Sequence, residues 1–295
     1  MLATKANAYF VSLPRWFGTP AAVLAVLLGG FIAGADPLPL SLAAVASTFM
    51  MAYAHSWNTF HDWVTGFDQG PVEQRSHEKP YTLGQNLVAK GVVSHREALY
   101  VALAYLAISA GLTGAVSALA GPWIWLPWGL VALCAPLYSW GKLHYLCELF
   151  LGLGFGPLAV VFGAAVSEAP NWGQAFAVGI PLGLIFGYMA ETVDQWWDAD
   201  VNVPKGLRNI GALTWRLHLP LVVTMCFISM TIMISHIALA VADLLTPWSL
   251  LAFISPVGIF FLTPWFERRN TRGIMLGLLL VLCYPLIIVL AEVLS

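Results

Sequence analysis

Hydrophobic residues run through this chain in stretches of about 18 or more, bounded by small clusters of charge or by Gly and Pro. Stretches of that length cross a bilayer as helices, since about 20 residues at ~1.5 Å each cover its ~30 Å hydrocarbon core. Their limits are residues 17–34, 39–60, 98–119, 122–140, 146–167, 173–193, 217–241, 246–265 and 273–291. The pattern predicts an all-α polytopic membrane protein, a bundle of nine transmembrane helices. Two longer polar stretches interrupt it, residues 61–97 and 191–216, each beginning as an acidic helix end and continuing into a Gly/Pro-punctuated basic segment. Loops of this length in a compact bundle usually serve as lids or binding elements, so both are read as Asp-rich caps over one cavity. Their recurrence suggests a single domain, 1–295, with two related halves, about 15–140 and 141–295.

Composition strengthens this reading. Hydrophobic residues make up 59% and charged residues 9% of the 295 positions, with 13 Trp, and the mean hydropathy is +0.79, which excludes an ordinary soluble domain. All 13 Lys and Arg fall on one side of the nine spans. By the positive-inside rule this puts the N-terminus, both caps and any site they cover on the cytoplasmic face of the cell (inner) membrane. Arg15 precedes an apolar stretch too long for a signal-peptide core, so no cleaved leader is read. The four cysteines show no CxxC spacing and read as packing residues. A net charge of −2 without a basic run gives no sign of a nucleic-acid partner.

Against so few charges, the grouping of carboxylates at span ends needs a cause. Asn58 and Asp62 are an i, i+4 pair, as are Asp194 and Asp198, so each pair shares one helix face. Two such faces turned toward each other form an oxygen cage suited to Mg²⁺ and to the diphosphate it carries. Asp68, Glu191 and Asp200 flank them. Lys79, Lys142, Lys205 and Arg208 lie on the same side and suit phosphate oxygens. Neutralised in this way a diphosphate becomes a leaving group. An allylic cation left behind needs a dry cavity with π faces, for which Trp57, Phe60, Tyr138, Trp140, Trp196 and Trp197 are candidates. His55, His61 and His144 lie near the same face and read as structural. Glu148 should face the bundle interior, to orient an acceptor or pair with a cation.

These residues resemble the UbiA superfamily of intramembrane prenyltransferases, nine-helix bundles with two Asp-rich motifs. The first motif is similar to the NDxxDxxxxxD of the branch that prenylates 1,4-dihydroxy-2-naphthoate, standing here as Asn58, Thr59, Asp62 and Asp68. The second resembles DxxxD followed by a basic Gly-containing segment, here Asp194, Asp198, Lys205, Gly206 and Arg208. Arg15 before the first span, "EKPYTLG", the YxxxK of Tyr138 and Lys142, and "ELFLGLGFGPLAV" from Glu148 extend the likeness over residues 15–211. Three features depart from the pattern. Thr59 replaces an Asp, Glu191 stands where Asn is common, and about two extra residues follow Asp198.

The resemblance implies Mg²⁺-dependent transfer of a prenyl group from a polyprenyl diphosphate to an acceptor by way of an allylic carbocation. Asn58, Asp62, Asp194 and Asp198 would hold the metal, and Asp62, Asp68, Asp194, Asp198 and Tyr138 would serve catalysis. Arg15, Lys79, Lys142, Lys205 and Arg208 would bind the diphosphate. Its partners would be the polyprenyl diphosphate, an aromatic or lipid acceptor and the membrane lipids. The motif spacing favours an aromatic quinone precursor. A terpene cyclase or a prenyl ether lipid synthase on the same scaffold, and a cation-coupled transporter, are the alternatives.

Overall fold

The computed structural model describes residues 2–77, 79 and 87–295; of the "EKPYTLG" segment only Lys79 is among them. Every regular element among the described residues is helical. Among the described residues the longer helices are, in chain order, α1, Thr19–Ile32; α2, Pro37–Val64; α3, His95–Ala120; α4, Trp125–Gly141; α5, Cys147–Ala164; α6, Trp172–Trp197; α7, Leu221–Val241; α8, Pro247–Glu267; and α9, Thr271–Leu294. Seven of them, α2, α3 and α5–α9, are long and apolar enough to cross a membrane. α1 has 14 residues and α4 has 17, about 21 and 26 Å of rise, so neither alone matches the ~30 Å core.

Local chemistry starts these helices where the sequence changes character. Ser94 and Glu97 form a capping box at the head of α3, where Glu97 also takes Lys5 at 2.6 Å and Tyr9 at 2.7 Å and so pins the N-terminal segment. Asn171 caps α6 and Asn270 caps α9 through backbone amides. Two spans read as continuous apolar runs are irregular. α5 breaks at Gly156, between Phe155 and Pro157, and α6 passes through a π-helical stretch, Leu184–Ala190, just after Pro181. Proline lacks the amide that the α-ladder needs, and a π-turn takes up the mismatch.

Successive helices pack on one another and α9 returns to α1, so the bundle closes on itself. α5 and α6 touch backbone to backbone through glycines: a methyl at Gly156 would overlap the Gly179 and Gly183 backbone. The largest buried cluster draws on α1, α5 and α6 with α7–α9. The outer surface is apolar, with Phe227, Leu251, Ile254 and Phe261 all exposed. A soluble domain rarely exposes such a surface, whereas lipid requires it. The molecule is built as an integral membrane protein.

Candidate active site

The last turns of α2 carry Asn58 and Asp62, joined by a 2.9 Å bond from the Asn58 amide to Asp62. That bond leaves the Asn58 carbonyl free for Lys142, whose ammonium donates to it at 2.8 Å and to Asp62 at 2.8 Å. Lys142 follows α4 and lies 5.0 Å from the centre of the Tyr138 ring and 6.0 Å from that of Phe67. Burial works against its charge, but Asp62, with Glu191 behind it, outweighs burial and holds the ammonium above its ordinary range.

The second pair has the same arrangement with a different lysine. Lys79, from the first cap, contacts Asp194 at 2.6 Å and Asp198 at 2.8 Å, and also donates to the Asp194 carbonyl at 2.9 Å. Its side chain is only 2% exposed; burial disfavours the charge, and the two carboxylates reverse that and raise its pKa. The His77 amide donates to Asp198 at 2.8 Å. Burial nonetheless keeps the Asp198 carboxyl above the usual range. Asp68 lies close by, its backbone amide bonded to the Asp62 carbonyl. Burial first, then the charge of Asp62, pushes its carboxyl up to about 6.

Asn58, Asp62, Asp68, Lys79, Lys142, Asp194 and Asp198 line one cavity of about 250 Å³, together with Arg15, Tyr138 and Glu191. Tyr138 donates to Glu191 at 2.7 Å, and Gln195 donates to the same oxygen at 2.7 Å, tying α4 to α6. Arg15 is buried in a left-handed backbone conformation, φ 48°, and reaches Thr59 at 3.2 Å. Thr59 thus stands beside a guanidinium where the resembled motif has a carboxylate, and Arg15 keeps its charge for the cavity. Past the polar rim the walls become apolar, with Met50, Ala54, Val131, Phe150, Phe155, Phe186 and Ile259 among them.

Other residues singled out in the sequence stand elsewhere. Lys205 donates to the Phe67 and Gln69 carbonyls at 2.6 and 3.1 Å and stitches one cap to the other. Arg208 is exposed, and its backbone bonds Lys142 and Tyr145. Neither lines the cavity. Asp200 is engaged by His77 at 3.0 Å and Arg269 at 2.8 Å. Among the described residues Glu148 meets no cation, and it does not line the cavity: it accepts the Ile210 amide at 2.5 Å and thereby anchors the head of the short helix Ile210–Arg216. Of the aromatics proposed for cation stabilisation, only Tyr138 lines the cavity. Among the described residues the phenyl rings that do so are Phe67, Phe150, Phe155, Phe186 and Phe266, and the His55 imidazole joins them. A signal for part of this lining was present: steps of four back from Asp62 and Asp198 pass Ala54 and Met50 on one helix, Ala190 and Phe186 on the other.

Among the described residues no three His, Cys, Asp or Glu side chains gather as a metal cage. The hard oxygen donors come as two pairs at one cavity rim. That fits Mg²⁺, which commonly takes one or two carboxylates and fills its remaining positions with water and substrate phosphates.

An all-helical bundle with a polar-rimmed, apolar cavity defines the class of structure, and comparison with solved proteins gives the fold. The chain resembles a ligand-free UbiA homologue from Aeropyrum pernix K1, with a TM-score of 0.69 at 21% identity over 94% of this chain and 96% of that one. It also resembles digeranylgeranylglyceryl phosphate synthase, with a TM-score of 0.61 at 16% identity over 98% of each chain. A UbiA homologue from Archaeoglobus fulgidus bound to GPP and Mg²⁺ matches with a TM-score of 0.56 at 16% identity over 95% of this chain and 99% of that one. The fold is that of these UbiA homologues. No protein-family model and no curated protein matches the sequence.

Proposed function

We propose that this protein is a UbiA-type membrane prenyltransferase that uses Mg²⁺ to move a prenyl group from a polyprenyl diphosphate to an acceptor. The carrying observation is that Asn58/Asp62 and Asp194/Asp198 rim one cavity whose interior is apolar. In support, homologues of the same fold are described bound to GPP or DMAPP with Mg²⁺. In this reading α1 and α4 complete a nine-helix bundle, in one domain of two related halves. The carboxylate rim and both caps face the cytoplasm at the inner membrane.

Asn58, Asp62, Asp194 and Asp198 would hold the metal, with Asp68 beside them. Bound Mg²⁺ supplies charge neutralisation for a departing diphosphate. The chain's own residues do the rest. Arg15, Lys79 and Lys142 bind and orient phosphate oxygens from the rim, Arg15 with its planar fork. Lys205 and Arg208 serve the same site indirectly, by holding the caps and the Lys142 backbone. The apolar walls exclude water from an allylic cation, and the Tyr138 face, already beside the Lys142 ammonium, offers it π density. The acceptor is an aromatic quinone precursor, favoured by the spacing of the first motif.

The test is turnover of the purified protein with Mg²⁺, labelled geranylgeranyl diphosphate and, separately, 1,4-dihydroxy-2-naphthoate, 4-hydroxybenzoate and a glycerol phosphate lipid. A product that requires one acceptor and disappears with EDTA is expected. Labelled cyclic hydrocarbon formed without acceptor would replace transfer by cyclisation; absence of Mg²⁺-dependent diphosphate release would overturn the reading.

A further inference from the structure

Glu191 enters the cavity with one carboxyl oxygen engaged and the other open. Tyr138 and Gln195 both donate to its Oε1, each at 2.7 Å. Oε2 takes no hydrogen bond among the described residues, and it is not one of the interior polar atoms sealed away without a partner. The residue is only 6% exposed and lines the cavity, so the access that Oε2 keeps is access from the cavity. As a tie between α4 and α6 the side chain would need a single accepting oxygen, which an amide supplies equally well. A buried carboxylate is costly unless its second oxygen also finds a donor.

The position of that oxygen matters as much as its openness. Glu191 lies three residues before Asp194 on α6, and Tyr138 lies four before Lys142 on α4. Each therefore stands one turn, about 5 Å, inside the rim of carboxylates and lysines. With a diphosphate on that rim, the first carbon of the prenyl chain comes level with Glu191 and the Tyr138 ring. Lys142 is the counter-charge for Glu191, whose charge in turn helps to hold the ammonium.

We propose that Oε2 of Glu191 receives a phenolic hydroxyl of the acceptor and so holds the acceptor ring beside the first carbon of the prenyl chain. A hydroxyl donating to a carboxylate makes a short bond about twice as strong as one between neutral groups. Glu191 thereby selects hydroxylated rings, and it does so from the position where the resembled motif commonly has Asn. This inference rests on the prenyl-transfer reading of the same site.

The experiment measures prenyl transfer by the full chain in lipid nanodiscs, with Mg²⁺, geranylgeranyl diphosphate and matched acceptors. These are 4-hydroxybenzoate with 4-methoxybenzoate, 1,4-dihydroxy-2-naphthoate with its 1-methyl and 4-methyl ethers, and the glycerol phosphate lipid. A methoxy group activates a ring much as a hydroxyl does but has no proton to donate. Wild type is expected to prefer a phenol over its ether by roughly tenfold or more in kcat/KM, carried by the KM of the acceptor, the scale of one hydrogen bond to a charged group. Glu191→Gln keeps a carbonyl for Tyr138 and Gln195 and makes the open position an N–H donor, which serves an ether oxygen as well as a hydroxyl. The preference should shrink toward unity by a similar factor, with the melting temperature nearly unchanged.

Equal kcat/KM for phenol and ether in wild type would overturn the docking without recourse to any variant. Exclusion of the methyl group by size alone would leave the wild-type ratio in Glu191→Gln, and a loosened bundle would lower both members of each pair together. Either result, or transfer to the glycerol phosphate lipid alone, would overturn the docking and leave prenyl transfer standing. If wild type releases no diphosphate with Mg²⁺ and any acceptor, or only cyclises the donor, the prenyl-transfer reading fails and the docking with it.

Discussion

Lys79 and Asp194 meet at 2.6 Å across 115 residues of sequence. The same ammonium reaches Asp198, so the second carboxylate pair is closed by a cation from the opposite cap, as Lys142 closes the first pair. Each pair therefore carries its own counter-charge, and a divalent ion must compete with a lysine for the same oxygens.

Lys79→Met should consequently destabilise the metal-free protein. Removing one partner of a fully buried ion pair costs roughly 3–5 kcal/mol, and the lower end applies because Asp194 is 30% exposed. Mg²⁺ should restore more stability to the variant than it adds to wild type, measured as the shift in melting temperature between EDTA and Mg²⁺. Equal shifts would show that lysine and metal do not share these oxygens.

Asp62→Asn and Asp194→Asn should each lower Mg²⁺-dependent diphosphate release by about 10²-fold or more, the scale for losing one preorganised electrostatic contact. Circular dichroism should show an intact helical bundle in both. Full activity in both variants would sink the paired-carboxylate site.

Glu148 offers a test of positioning at a distance. Its carboxylate accepts the Ile210 amide and holds the second cap, so Glu148→Ala should expose residues 199–216 to protease and cost about 1–3 kcal/mol for the orphaned donor. Glu148→Gln keeps an accepting oxygen and should behave nearly as wild type. If glutamine is as damaging as alanine, charge rather than anchoring is the reason for this residue.

Asp68 should leave a pH signature. Its pKa is raised on folding, to about 6, so the folded state favours the protonated form. The carboxyl costs little below its ordinary value of 3.8, and its cost grows as pH rises from there through about 6, where it levels off. Melting temperatures of wild type and Asp68→Asn in EDTA should coincide near pH 4, and the variant should be the more stable by a few degrees at pH 8. A gap that is independent of pH would contradict the buried, raised carboxyl.

The sequence showed the helix limits to within one to four residues because the cost of burying charge in lipid is large and local: 246–265 against Pro247–Glu267 is a close match, and 173–193 stops four residues short of Trp197. For the same reason it pointed to Asp62 and Asp194, which line one cavity. What it concealed depends on rotation and on loop paths. Phe155 and Trp57 are both aromatic, but only helix rotation and packing decide that the first lines the cavity. Lys205 and Lys79 were alike as basic loop residues. Only the folded caps send one to backbone carbonyls and the other between two carboxylates.

The π-helical stretch in α6 also makes that helix a measure of residue number. Such a stretch holds an extra residue compared with an α-helix, and each residue of an α-helix turns the chain by ~100°. Deleting one residue within Leu184–Ala190 would let the segment relax to ordinary helix while leaving Pro181 and the whole outer half in place. Because the residue removed is the extra one, the inner half would keep its phase, with Asp194 still turned to the cavity rim and Lys79. The same deletion in the α-helical part before it, Trp172–Gly183, meets no wide turn that can absorb it and would swing the inner half by ~100°. The protein's chemistry is thus encoded in the phase of a helix as much as in its side chains, and the π-helical stretch is the one place in α6 where losing a residue preserves that phase.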